Sequence, residues 1–323
     1  MHRNGVKRTE VRDTLYLLGF LVVAGLLLII GRHQLPPSTV LTWTLTFGAT
    51  AGVGVLIISL YRVQQELKQT RFELARKDVE LQIAREVQAA LFPRTLPSNR
   101  GLSISAICIP AQGISGDYYD IVECPDGRLV VAIADISGKG LSAAILMSNI
   151  QARFRALIEM NDSLSEVCRL LSDHLNDFTE PERFATLFVA QWRPGSSRLE
   201  YVNAGHQVPV VVGGPDPELR LGGPPLGLFP GQSFKCGTAE LAEGAVMVLY
   251  SDGITEATDS REEDFGTERL QSLIERHAGD SVRDLQRAVL DSVSDWTRRE
   301  PQDDMTLVII RVDDKGRLSG RDE

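Results

Sequence analysis

Two stretches of this chain carry no charge at all, and they limit its possible folds before any other feature does. They are Thr14 to Gly31, TLYLLGFLVVAGLLLIIG, and Val40 to Tyr61, VLTWTLTFGATAGVGVLIISLY. As a helix rising about 1.5 Å per residue, each is long enough to cross a hydrocarbon core of roughly 30 Å. A cleaved signal peptide is the competing account of the first run, but no small-x-small cleavage site follows it and a second apolar span does. Arg3, Lys7, Arg8 and Arg12 precede the first span, and Arg62, Lys68, Arg71, Arg76 and Lys77 follow the second. The positive-inside bias then places both ends in the cytoplasm and the short loop RHQLPPST outside. Residues 1–61 are therefore expected to form a membrane anchor with two transmembrane helices, 14–31 and 40–61. The loop between them is too short to fold as a sensor, since chains below about 40 residues rarely support a core.

From Arg62 to Phe92 the sequence is charged, rich in strong helix formers and free of Gly and Pro, which predicts one long helix leaving the membrane. Leu67, Leu74 and Leu81 recur every seven residues, with Ala84 and Leu91 on the same seam, so residues 62–92 could pair as a parallel coiled coil in a homodimer. Thr70, Lys77 and Gln88 interrupt that seam, and a lone amphipathic helix packing on its own domain is the alternative. Pro93 and Pro97 end the helix, making residues 62–97 a helical linker. Beyond it, residues 98–313 alternate strand-like and helical runs: LSISAICI, RLVVAIAD, helices near 141–158 and 164–178, FATLFVAQW, RLEYVNAG, VPVVV, AVMVLYSD, helices near 268–277 and 282–298, and MTLVIIRV. This order predicts an α+β domain with antiparallel sheets flanked by helices, in preference to a doubly wound parallel sheet. The polar end, residues 314–323, is expected to be a disordered tail.

Several chemistries are excluded by what the chain lacks. A net charge of −9 argues against nucleic-acid binding, which needs clustered Lys and Arg. Cys108, Cys124, Cys168 and Cys236 form no C-x-x-C pair, so neither a zinc ribbon nor a disulfide framework is indicated. SGKGLSA lacks the Ser or Thr after its lysine and the first glycine of a phosphate-binding loop. There is no G-x-S-x-G, and His2, His33, His174, His206 and His277 make no H-E-x-x-H. His206, in NAGHQVP, reads as a structural turn residue.

What the chain does have is aspartate where strands end and glycine begins: Ser115-Gly116-Asp117, Ala134-Asp135-Ile136-Ser137-Gly138, Ser251-Asp252-Gly253 and Asp303-Asp304-Met305-Thr306. Asp135 and Asp252 directly follow the apolar runs LVVAIA and AVMVLYS. A short carboxylate at the end of a rigid strand can converge with others from distant sequence. Carboxylates gathered without a counter-charge repel and raise one another's pKa, and hard divalent cations that prefer oxygen ligands relieve this. Any one of these Asp-Gly or Ser-Gly pairs is also ordinary turn chemistry.

The segments SGDYYD, IADISGKGLSAAILMS, YVNAGHQVP, PPLGL, VLYSDGITEA, FGTERL and DDMTLVIIR, taken in order, resemble the motifs of bacterial PPM-type (PP2C-like) serine/threonine protein phosphatases of the SpoIIE and RsbU family. REVQAALFPRTLP resembles the segment that precedes the domain in that family. The resemblance implies an αββα sandwich holding two Mn²⁺ or Mg²⁺ ions. It assigns Asp117, Asp135, Asp252 and Asp303 as metal-binding aspartates, with the carbonyl of Ile136 a further ligand and Asp304 competing with Asp303 for the last place. It further implies hydrolysis of phosphoserine or phosphothreonine by a metal-activated water, on a phosphorylated STAS-like (anti-anti-sigma) regulatory protein. The enzyme would be a multi-pass protein of the bacterial inner membrane with its catalytic domain in the cytoplasm. The arginine and histidine that the eukaryotic-like branch carries near its first two aspartates are Ile114 or Ser115 and Ser137 here, as is common in the SpoIIE-like branch. The alternative is a membrane-tethered pseudophosphatase that binds a partner without turnover.

Overall fold

The structure is a computed structural model that describes residues 36–97, 101–178, 183–193, 196–214 and 218–313, with six helical positions between 19 and 30. Most of the first apolar run and the expected tail lie outside the described residues. The second apolar run and the charged stretch after it form one helix, α1 (Pro37–Ala89), unbroken at Arg62. Among the described residues it is the one helix long and apolar enough to cross a membrane, so of the two expected spans these residues supply one. The hydroxyls of Thr42, Thr44, Thr46 and Thr50 each donate to the carbonyl four residues earlier. That arrangement leaves the apolar part of the helix without an unsatisfied side-chain hydroxyl at those four positions, as a lipid environment requires.

The chain divides into two compact units between Asp78 and Val79. The second contains the last turns of α1, then β1 (Leu102–Ile109), β2 (Tyr118–Glu123), β3 (Leu129–Ile136), α2 (Leu141–Met160), α3 (Leu164–Phe178), β4 (Ala185–Trp192), β5 (Arg198–Ala204), β6 (Val210–Val212), β7 (Gly222–Gly223), β8 (Gly237–Glu240), β9 (Val246–Tyr250), α4 (Asp252–Thr255), α5 (Thr267–His277), α6 (Val282–Thr297) and β10 (Met305–Val312). One sheet runs β1-β10-β9-β6, antiparallel throughout. The other runs β2-β3-β4-β5-β7 with β8 on β5, antiparallel except where the two-residue β7 joins β5.

Side-chain alternation along the strands builds four layers from these two sheets. In β3, Val130, Ala132, Ala134 and Ile136 pack with Met147, Ile150 and Phe154 of α2 and Leu171 of α3. The intervening Leu129, Val131 and Ile133 meet Met247 and Leu249 of β9 and Val308 and Ile310 of β10. On the far side, Val246 and Val248 of β9 and Leu307 and Ile309 of β10 pack with Leu270 and Ile274 of α5 and Leu285 and Val289 of α6. Helix pair, sheet, sheet and helix pair thus stack in the order the resemblance implied. The α2 face that makes this contact repeats every three or four residues, from Ala143 through Met147, Ile150 and Phe154 to Leu157.

Three strands were not legible beforehand: β2, β7 and β8. β2 contains a fully buried Asp120, a residue type depleted in strands. Its carboxylate accepts two hydrogen bonds from Arg155 of α2 (2.7 and 2.9 Å) and one from the Tyr118 hydroxyl (2.5 Å), so the charge is paired inside the sheet–helix layer. β7 exists because Gly222 has no side chain: a Cβ there would overlap the Asn203 carbonyl of β5. Gly222→Ala is expected to destabilise the domain by about 1–3 kcal/mol, as overpacking does elsewhere, measured by chemical denaturation. A variant as stable as the parent would show that β7 can move away freely.

Candidate metal centre

The strand register brings the aspartate loops to one end of the sandwich. In one sheet the start of β2 lies beside the end of β3, with Tyr118 opposite Ala134. In the other, the start of β10 lies beside the end of β1 and near the end of β9, with Met305 opposite Ile109 and Leu307 opposite Tyr250. Asp117 immediately precedes β2, Asp303 and Asp304 precede β10, and Asp252 opens α4 just after β9. Asp135 stands in β3 in phase with Val131 and Ile133, so alternation points it between the sheets. All five aspartates identified in the sequence therefore lie at one end of the sandwich.

Backbone contacts stitch the loops together. The Ser251 hydroxyl donates to the Asp304 carbonyl (3.1 Å) and accepts from the Thr306 amide (2.9 Å). A Cβ on Gly253 would overlap that same Asp304 carbonyl, so the S-D-G turn needs glycine to approach the D-D-M-T loop. A Cβ on Gly116 would stand 3.3 Å from the Ile136 carbonyl, which places the S-G-D loop against the candidate backbone ligand. The two neighbouring aspartates separate in role. Asp304 accepts from the Ala111 amide (2.8 Å) through Oδ1 and from the Gly116 amide (2.7 Å) through Oδ2. Asp303 is half-exposed and accepts from Lys139 Nζ at 2.7 Å.

Burial and mutual repulsion set the electrostatics of these carboxylates. Burial raises the Asp117 carboxyl well above its usual range, and Asp135 raises it further. Burial also lifts Asp135 to about 7, with Asp252, Asp303 and Asp304 adding to the shift and Lys139 opposing it. Asp252 is raised by burial and then by Asp303. Asp117 Oδ2 is buried without a hydrogen-bond partner, an unsatisfied acceptor of the kind a cation would complete. Among the described residues no three His, Cys, Asp or Glu side chains close around a single point. The donors are all oxygen, which suits Mg²⁺ or Mn²⁺ and not zinc.

His206 is not among them. It is buried, its Nδ1 lies 2.8 Å from the Thr186 hydroxyl, and its amide donates to the Asn203 side chain (2.8 Å). Burial lowers its pKa to about 4, so it is a neutral structural residue at neutral pH, in keeping with the sequence reading. The supporting roles of Gln88, Ser115, Ser251 and Thr306 were not legible in the sequence, which shows the last three only as neighbours of the aspartates and Gln88 only as an interruption of the leucine seam. A cleft of about 260 Å³ opens beside Asp303, with Lys139, Glu256, Thr297 and Arg299 in its walls.

Comparison with known proteins agrees with this geometry. Residues 125–313 match the family model described as Stage II sporulation protein E (SpoIIE). The chain belongs to the SpoIIE family. It is 32% identical over 258 residues to phosphoserine phosphatase RsbU of Bacillus subtilis, a match covering 78% of this chain and 73% of RsbU. By that relationship it is a phosphoprotein phosphatase, of the PP2C-like type whose members depend on metal ions. The SiaA-PP2C domain of Pseudomonas aeruginosa shares the fold with a TM-score of 0.64 at 19% identity, over 74% of this chain and 99% of that one. RsbX, solved in complex with magnesium, aligns with a TM-score of 0.52 at 17% identity, over 68% and 98% of the two chains.

Proposed function

We propose that this SpoIIE-family phosphatase hydrolyses phosphoserine or phosphothreonine on a partner protein through two divalent cations, Mn²⁺ or Mg²⁺. The observation that carries this reading is the meeting of Asp117, Asp135, Asp252 and Asp303 at one end of the sandwich, with Asp117 Oδ2 buried and unsatisfied. These four side chains and the Ile136 carbonyl would hold the ions, while Asp304, already committed to two backbone amides, shapes the loop. When bound, such ions supply Lewis acidity towards phosphoryl oxygens and a more acidic water. The chain's own contribution is positional. Asp135 and Asp252 are fixed on strand ends of opposite sheets, and Lys139 sits on a flexible stem at the rim, where its ammonium neutralises Asp303. The cleft beside Asp303 is open enough to take residues flanking the phosphorylated side chain.

The partner is a STAS-like regulatory protein by family relationship. Residues 1–61 are proposed as the anchor in the bacterial inner membrane, 62–97 as the linker and 98–313 as the cytoplasmic catalytic domain. The exposed Leu67, Leu74 and Leu81 support a homodimer through residues 62–92. The test is phosphate release from a phosphoserine-bearing STAS domain by the full-length chain, with Mn²⁺ and with EDTA. Release that requires Mn²⁺ is expected. Binding of the phosphoprotein without release in either condition would favour the pseudophosphatase.

A further inference from the structure

We propose that Gln88, on the last turn of α1, is a positioning residue for Asp117 and thereby sets the affinity of the metal centre. This rests on the metal-centre reading above and adds a group that no aspartate motif contains. Gln88 is the buried residue of α1 among those described, at a point where the helix is otherwise exposed or half-covered. Its Nε2 donates to the Ser115 carbonyl at 2.7 Å and its Oε1 accepts from the Ser115 amide at 2.8 Å. One planar side chain thus satisfies both backbone groups of a residue that has no exposure to water. A carboxylate could not donate to the carbonyl, and an apolar side chain would leave both groups buried and unpaired.

Ser115 passes the constraint on. Its hydroxyl accepts from the Asp117 amide at 2.9 Å, while Asp304 takes the intervening Gly116 amide at 2.7 Å. The S-G-D segment is therefore gripped from two sides, by the D-D-M-T loop of its own sandwich and by the helix that enters the domain. One turn earlier, Arg85 lies against Gly113, whose φ of 81° and lack of a Cβ let the guanidinium approach. Arg85 thus adds a second contact to this loop from the same helix face. Gln88 also lies seven residues after Leu81, so the clamp occupies the next position of the leucine repeat.

The test compares Gln88→Leu with Leu91→Ala in the detergent-solubilised full-length chain. Leu91 packs on the α2–α3 core one turn on and its side chain has no group that can hydrogen-bond the S-G-D loop, so its truncation costs stability without removing a bond of the clamp. Mn²⁺ affinity measured by calorimetry is expected to fall about tenfold or more in Gln88→Leu, as for other residues that orient metal ligands, and to stay at the parent value in Leu91→Ala. Turnover in Gln88→Leu should recover at saturating Mn²⁺. Hydrogen exchange in EDTA should speed up at the Gly116 and Asp117 amides in the same variant alone. Gln88→Glu, which keeps the acceptor and loses the donor, should fall between, and serves if the leucine variant fails to fold. Parent-like Mn²⁺ affinity in Gln88→Leu and Gln88→Glu, or equal loss in Leu91→Ala, would overturn the proposal. A parent chain that binds no Mn²⁺ would instead sink the metal-centre reading, with amide exchange then deciding the clamp by itself.

Discussion

Asp117→Asn is expected to lower phosphate release by about 10³-fold or more, some 4 kcal/mol of barrier, while leaving the metal-free chain at least as stable as the parent. The two effects have one cause. Asp117 is buried, its Oδ2 has no partner, and Asp135 repels it, so its negative charge costs stability until a cation arrives. Asparagine keeps the shape, removes the charge and can donate to the hydroxyls of Ser251 and Thr306 or to Asp135 nearby. Residues tuned for chemistry often carry such a cost in the unloaded protein. Steady-state phosphate release and thermal unfolding in EDTA check both halves. A variant that loses activity but melts several degrees lower would mean that Asp117 is a structural residue whose charge is well accommodated.

The second large effect is on the pH dependence of stability. In the metal-free chain Asp135 titrates near 7 and Asp117 well above the usual carboxylate range. A carboxyl whose folded pKa is raised contributes stability that is fully present below its unfolded pKa, about 4, and lost as pH rises through the folded value. His206 works in the opposite sense: held neutral with a pKa near 4, it removes stability as pH falls below about 6.5. The raised carboxyls and the lowered imidazole act in opposite directions, and with two carboxyls against one imidazole stability in EDTA should fall as pH rises from 5 to 7. With saturating Mn²⁺ the carboxylates stay ionised and the slope should vanish or reverse towards the His206 sign. Urea unfolding at pH 5, 6 and 7 in both conditions measures this, and the same slope with and without Mn²⁺ would mean that the ion does not bind these groups.

The sandwich was legible because β3, β9 and β10 are near-continuous apolar runs, as strands buried on both faces are, and the motifs fall at strand ends. Which face of β3 looks between the sheets was not legible in an all-apolar run, and only the packing of Val131 and Ile133, in phase with Asp135, shows it. β2 was not legible, since Asp120 is tolerable in a strand only through Arg155 and Tyr118, partners that the sequence does not bring together. Nor could Asp303 and Asp304 be told apart in sequence. Adjacent residues point in different directions, and only the fold shows that one carboxylate grips the Ala111 and Gly116 amides while the other faces Lys139. Gln88 was read as a flaw in a leucine seam because its partner, Ser115, lies 27 positions away. The long helix expected to leave the apolar span is continuous with it in α1, since strong helix formers run across Arg62 without Gly or Pro.

Anomalous diffraction at the manganese edge, on crystals of the full-length chain grown with Mn²⁺, tests the central claim most directly. Two peaks are expected, bounded by Asp117, Asp135, Asp252, Asp303 and the Ile136 carbonyl, with Asp304 still bound to its two amides. Peaks elsewhere, or none among these carboxylates at saturating Mn²⁺, would contradict the account.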